Sequence, residues 1–302
     1  MRGYKELLNS VSHSWGLREM SEYESVQMKR CLLEMYQVVF SICQKNGLCL
    51  MLTGGSVLGA VRHQGFIPWD DDMDLGMPRV DYDKFLTLIE AGALGDKYEF
   101  TYPSKEHDSP SAFLKIYRKG TKIIRIEGED SKYPQGIDLD VFPIEGVPSS
   151  KVARWWRDKC ANCLRLIANV VDEAQPWSEE KKRLYGIDKK FCLFMRCRQL
   201  MGKFFSVINH KQWICWYDEY VRNSRQGQFS SIPTGRKMYE GETLPSSVFF
   251  PTSKGIFEGI EVNLPANPDV YLRNLYGDYM QIPSVEKRER HLITKIFFDG
   301  GI

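Results

Sequence analysis

Apolar residues recur at steps of three and four early in the chain. Met28, Leu32, Met35, Val39 and Cys43 line one side of a helix predicted over 17–45 and ended by Asn46-Gly47. Residues 48–53 form a short apolar run after that breaker, as a buried strand does. Gly54-Gly55-Ser56 then turns the chain, and Ser56 is placed to cap a helix over 57–63. Residues 64–69 read as a loop. Over 72–77 acidic and apolar residues alternate, the pattern of a half-buried strand. Pro78 opens a helix whose inner face is Tyr82, Phe85, Leu86 and Ile89. Short strands follow at 98–101, 112–117, 122–126 and 136–142. The period turns helical over 149–221, with breaks near Pro176 and at 202–209. Strand-like runs such as 259–264 then return, and a last helix runs from Asn267-Pro268 to Tyr276-Gly277. The fold class predicted is α+β: a mixed β-sheet core with flanking helices and a helical insert. Its parts are a catalytic core at 1–148, a basic helical insert at 149–225, and an α+β part at 226–302 that completes the site.

Composition sharpens this division. The 302 residues are 43% hydrophobic and 13% aromatic, enough for a sizeable core. The net charge of +2 hides an asymmetry, because residues 151–203 hold thirteen Lys or Arg against six Asp or Glu. With Trp155, Trp156, Phe191, Phe194, Phe204 and Phe205 in or beside it, the basic insert is a candidate for peripheral contact with an anionic membrane. A solvated helical face is the alternative. The insert has no nucleic-acid recognition motif. No export signal and no run of about 18 apolar residues is present, so a cytoplasmic protein with free thiols is expected. Cys160 and Cys163 form a CxxC pair that Cys192 and Cys197 could complete as a zinc site. Helical spacing with Ile167 and Val171 instead reads them as a buried face.

The chemistry concentrates in 51–85. Asp70, Asp71, Asp72 and Asp74 repel one another unless a cation neutralises them, and hard oxygen ligands suit magnesium or manganese. On a strand, Asp72 and Asp74 share a face at roughly 7 Å, a spacing that can bridge two ions. Asp138 and Asp140 alternate in the same way on another predicted strand and offer a third carboxylate. Gly54, Gly55 and the amides after Ser56 form a candidate phosphate cradle. A calcium loop starting at Asp70 fits at positions one, three and five, but Leu75 stands where glycine is wanted and Asp81 where glutamate is.

The run GGSVLGAVRHQGFIPWDDDMDLGM, with DYDKF after it, LDVFP at 139–143 and YGDYM at 276–280, resembles the LicD family. That family's pattern is GG(S/T)LLGAxRHxGFIPWDDDxDxxM followed by the same later segments in the same order. The resemblance implies a nucleotidyltransferase-like fold. It also implies transfer of phosphocholine or a related phospho-alcohol from a CDP-linked donor, such as CDP-choline, to a glycan or its lipid-linked precursor. Carried onto this chain, it makes Asp72, Asp74 and Asp140 the ligands of two Mg2+ or Mn2+ ions, with Asp138 as runner-up to Asp140. Arg62 and His63 are candidates for the donor phosphates, or for a helix C-terminus favoured by positive charge. Lys115 is favoured over Arg118 as the cation entering the site. Asp278 and His291 are candidates for positioning the acceptor, or a helix-ending turn and a surface histidine. Choline would need aromatic faces, for which Trp69, Tyr239, Tyr276 and Tyr279 are candidates. Nucleotidyl transfer and a non-catalytic metal-binding protein are the alternative functions.

Overall fold

The computed structural model describes residues 17–106, 108–125, 131–223, 227–288 and 292–298. Helix α1 (Glu22–Lys45) is closed at its start by a capping box between Ser21 and Glu24, which shortens the predicted helix by one turn. Strand β1 is only Met51–Leu52, and helix α2 (Gly54–His63) begins three residues before Val57. Thr53, not Ser56, is its N-cap. Strand β2 (Asp74–Pro78) leads into α3 (Arg79–Glu90), whose buried face is Arg79, Tyr82, Phe85, Leu86 and Ile89.

Strands β3 (Tyr98–Thr101), β4 (Leu114–Arg118), β5 (Lys122–Ile124) and the long β6 (Ile137–Val147) complete the first part. Four helices follow: α4 (Lys151–Glu173), α5 (Glu179–Gly186), α6 (Lys189–Phe205) and α7 (His210–Val221). The break predicted over 202–209 falls at 206–209, and α6 runs through Gly202. A Cβ there would fall 1.7 Å from the Val170 carbonyl oxygen, so Gly202 lets α6 pack against α4 backbone. The chain returns through β7 (Phe229–Ser231), α8 (Met238–Gly241), β8 (Leu244–Pro245) and α9 (Ser246–Phe249). It ends with the hairpin β9 (Ser253–Phe257) and β10 (Ile260–Leu264), α10 (Pro268–Tyr276) and β11 (Lys295–Phe297).

The main sheet has the order β1-β2-β6-β4-β3, and β7 with β8 extends it from the far end of β6. β2 and β6 are parallel neighbours, whereas β4 runs antiparallel to β6. The fold is thus mixed α/β, with the expected mixed sheet and its helices. Its principal core draws on residues 28–144 and 232–293. Helices α4 to α7 contribute instead to two separate clusters, one around Ala161, Ala168, Ile214 and Tyr217, the other around Leu184, Tyr185, Phe191 and Met195. No helix among the described residues is long and apolar enough to cross a membrane.

The predicted buried cysteine face does not form. Cys160, Cys163 and Cys197 are exposed and Cys192 half-buried, all as free thiols. No cluster of three metal-binding side chains that includes a cysteine occurs among the described residues, so the zinc alternative has no site there.

Candidate active site

Register puts Asp74, Asp140 and Lys115 in one lateral row. Asp74 on β2 is the partner of Asp140 on β6, and Asp140 is the partner of Lys115 on β4. Laterally paired residues project from the same face of a sheet, so both carboxylates emerge on the side where Lys115 emerges. Their neighbours Leu75, Val141 and Leu114 point into the core on the other side.

Asp74 is held from two directions. Its amide donates to Ser56 Oγ at 2.8 Å, and its carboxylate accepts from the Gly55 N–H. The Gly54 amide donates to Tyr271 Oη at 2.9 Å. The N-terminus of α2 therefore spends its first amides on Asp74 and Tyr271 rather than presenting an open phosphate cradle, and Ser56 is a brace for Asp74. Gly54 has φ +49°, and a Cβ there would sit 2.6 Å from Asp74 Oδ2. Both facts require glycine: one for backbone freedom, the other for the carboxylate's close approach.

A cavity of about 530 Å³ opens beside this row. Of the row only Asp74 lines it, together with Gly54, Gly55, Asp70, Asp72, Arg62, Trp69 and Asp278. Asp72 precedes β2 rather than lying on it, yet it faces the same cavity as Asp74. The carboxylates of Asp70, Asp71 and Asp72 offer oxygens all within 4.8 Å of one another. Asp72, Asp74 and Asp140 do not share that spacing. The acidic centre is broader, with Asp70 and Asp71 in it.

Electrostatics distinguishes the acids. Burial, then repulsion from Asp140 and Asp70, raises the Asp74 carboxyl above its ordinary value; the Gly55 amide and Lys115 only partly oppose this. Asp140 is raised as well, by burial and by Asp138, with Lys115 opposing. Lys115 Nζ lies 2.6 Å from Asp138 Oδ2 and 2.5 Å from Asp140 Oδ1. Burial works against its charge, but the two aspartates more than offset that and hold the ammonium above its usual pKa. Lys115 is thus a counter-charge to Asp138 and Asp140 and does not line the cavity, contrary to its expected role on phosphate. Asp74 has no such partner: no cationic side chain among the described residues forms an ion pair with it. The oxygens of Asp70, Asp71 and Asp72, beside the raised Asp74 carboxyl, fit a hard divalent cation.

The other expected residues fall as follows. Arg62 lines the cavity and donates to the Tyr279 carbonyl at 2.7 Å and to His63 Nε2 at 2.9 Å. His63 is outside the lining and packs edge-on against Trp69. Trp69, Tyr276, Tyr279 and Asp278 line the cavity, whereas Tyr239 is fully buried in the helical cluster and does not. His291 lies outside the described residues.

Arg236, Glu242, Lys287 and Arg288 also line the cavity, and no motif reading singled them out. Arg288 stacks 4.1 Å from the Trp69 ring centroid, and Arg236 lies 5.4 Å from that of Tyr276. Two aromatic faces expected for choline therefore already carry a guanidinium. Arg288 had a signal, the basic run KRER, but nothing local connects it to Trp69.

Glu242 is only 2% exposed and accepts from the Lys237 amide at 2.9 Å. Burial pushes its carboxyl up to about 7, against the pull of Lys237 and Arg236. The folded protein then holds this proton more tightly than the unfolded chain, so the stability tied to it is full below about pH 4.5 and declines as pH rises towards 7. Glu242→Gln keeps an acceptor for Lys237 without the charge. It should raise stability at pH 8 by on the order of 2 kcal/mol and change it little at pH 4.5, measured by denaturant unfolding of the metal-free protein. An equal effect at both pH values would refute the assignment.

Known proteins match the chain over this region. Residues 47–158 match the family described as LicD/FKTN/FKRP, nucleotidyltransferase domain. The chain is 24% identical over 284 residues to the lipopolysaccharide cholinephosphotransferase LicD of Haemophilus influenzae, spanning 89% of this chain and 99% of that protein. It is 36% identical over 149 residues to an uncharacterized protein of Rickettsia prowazekii, 45% of this chain and 55% of the relative. With the human ribitol 5-phosphate transferase FKRP it shares 39% identity over 75 residues, 24% of this chain and 15% of that protein. Residues 47–158, which carry the glycine turn, the aspartate run and Asp140, are therefore a domain of the LicD family.

Proposed function

We propose that this protein transfers a phospho-alcohol, phosphocholine or a related one, from a CDP-linked donor to a hydroxyl of a cell-surface glycan or its lipid-linked precursor. The observation that carries the proposal is Asp74, paired in register with Asp140 and lining a cavity together with Asp70, Asp72 and several arginines. The near full-length alignment with a cholinephosphotransferase supports the class of cargo. Asp72, Asp74 and Asp140, joined by Asp70 and Asp71, would hold one or two Mg2+ or Mn2+ ions. Such ions, when bound, neutralise phosphate charge and lower the pKa of a hydroxyl.

The remaining work falls to this chain's own groups. Arg62, Arg236, Lys287 and Arg288 face the donor phosphates and oppose the charge that grows on the leaving nucleotide. Gly54 and Gly55 keep α2 close enough for its dipole to steady the Asp74 carboxylate. The acceptor hydroxyl oxygen forms a bond to the donor phosphorus that bears the alcohol, the bond to the CMP oxygen breaks, and the hydroxyl proton passes to Asp140. Lys115 keeps Asp140 oriented for that transfer.

The test incubates the purified protein with Mg2+ and a panel of CDP-alcohols, followed by chromatography of nucleotide products. CMP release in step with phospho-alcohol appearing on an acceptor is the expected result. Pyrophosphate release from CTP instead would establish nucleotidyl transfer, and no turnover with any donor would leave the binding-protein alternative.

A further inference from the structure

Helix α6 presents two opposite apolar faces, of which the fold uses one. Phe191, Met195 and Gly202 are its buried residues and seat it on the protein. Roughly half a turn away around the axis lie Leu193, Cys197, Leu200 and Phe204, one continuous stripe at steps of three and four. Leu193 is 63% exposed, Leu200 66% and Phe204 75%, and Val207 just beyond the helix continues the line at 92%. An apolar stripe of this length is unusual on a surface that meets only water.

Its charge is equally one-sided. The sequence of α6, KKFCLFMRCRQLMGKFF, holds five Lys or Arg and no Asp or Glu. Lys189, Arg196 and Lys203 recur at seven-residue intervals and so form a line along one edge of the stripe, all three exposed. Apolar side chains flanked by a row of cations match the boundary of an anionic bilayer, where the acyl region takes the former and headgroup phosphates the latter. A second protein surface would need both a greasy groove and an acidic rail in register with it, and the chain offers no such complement on α6 itself.

We propose that α6 is an interfacial helix that lays Leu193, Leu200 and Phe204 into an anionic membrane surface, with Lys189, Arg196 and Lys203 on its headgroups. This contact is independent of the chemistry proposed above.

The test is co-sedimentation of the full chain with phosphatidylcholine vesicles and with mixed phosphatidylcholine–phosphatidylglycerol vesicles. Binding is expected only to the latter and should weaken as salt is raised. The triple variant K189Q/R196Q/K203Q should bind about a hundredfold more weakly. L200S/F204S should lose binding at least about tenfold. All five positions are exposed, so circular dichroism melts should match the parent. Equal binding to both vesicle types, binding unchanged in L200S/F204S, or a dimer that L200S/F204S converts to monomer with no vesicle binding by the parent would each overturn the proposal.

Discussion

Asp74→Asn is expected to lower phospho-alcohol transfer about a thousandfold or more while leaving the protein as stable as the parent or more so. The two halves of this expectation have one cause. Asp74 stands in a row with Asp140, close to Asp70, without a cationic side chain of its own, and its carboxyl is raised by burial and by those neighbours. A charge kept where it costs stability is kept for what it binds. Asparagine retains an oxygen for the Gly55 N–H and lets Ser56 Oγ accept from the residue 74 amide as before, so the local backbone should persist. Rates of CMP release at saturating donor, set beside thermal melts, separate the effects. Activity within tenfold of the parent would remove Asp74 from the reaction centre, and a large loss of stability would make its role structural.

The largest effect on stability should come from Arg79. Its side chain is buried at the start of α3, with Nε 2.6 Å from Glu145 Oε1 on β6 and Nη2 2.7 Å from Asp218 Oδ1 on α7. Glu145 also accepts from the Asn223 amide, and Asp218 pairs with Arg222 at 2.9 Å. One guanidinium thus joins the sheet to the helical insert. Arg79→Met leaves Glu145 and Asp218 facing each other with little compensation, at a cost of about 3–5 kcal/mol by denaturant unfolding. Adding Glu145→Leu and Asp218→Leu should restore much of that loss, because the penalty lies in the stranded charges and not in the missing salt bridge itself. If the triple replacement is no more stable than Arg79→Met, packing around the guanidinium is what matters.

Arg79 also shows where sequence reading stops. Helix α3 was legible because Tyr82, Phe85, Leu86 and Ile89 repeat on one face, and Pro78 marks its start. The fifth member of that face, Arg79, is charged, and its partners are 66 and 139 residues away. Nothing local announces a buried arginine. Strand alternation correctly put Asp74 and Asp140 on faces of their own strands, but which strands adjoin is a property of topology, and so is the partner that Lys115 finds. Pairing of β4 with β6 gave Lys115 to Asp138 and Asp140, where a reading of one strand at a time left it available for phosphate. The same limit applies to Ser56. Its position after two glycines fits a helix cap, yet α2 begins earlier and Ser56 faces the amide of Asp74 across the fold.

The rest of the cavity lining was the least legible part. Arg236, Glu242, Lys287 and Arg288 come from segments with little periodicity, brought to the glycine turn by α10 and the loops around it. The glycine turn and aspartate run, in contrast, were legible as chemistry because so many acids in so few residues have no packing explanation.

Direct titration of Mn2+ into the purified protein by calorimetry, beside Asp74→Asn and Asp140→Asn, tests the centre itself. Saturable binding by the parent that is weakened at least about tenfold in each variant is the outcome this account requires. Binding of equal strength in all three proteins would mean that the row of carboxylates on β2 and β6 holds no metal, and the proposed reaction would have no centre.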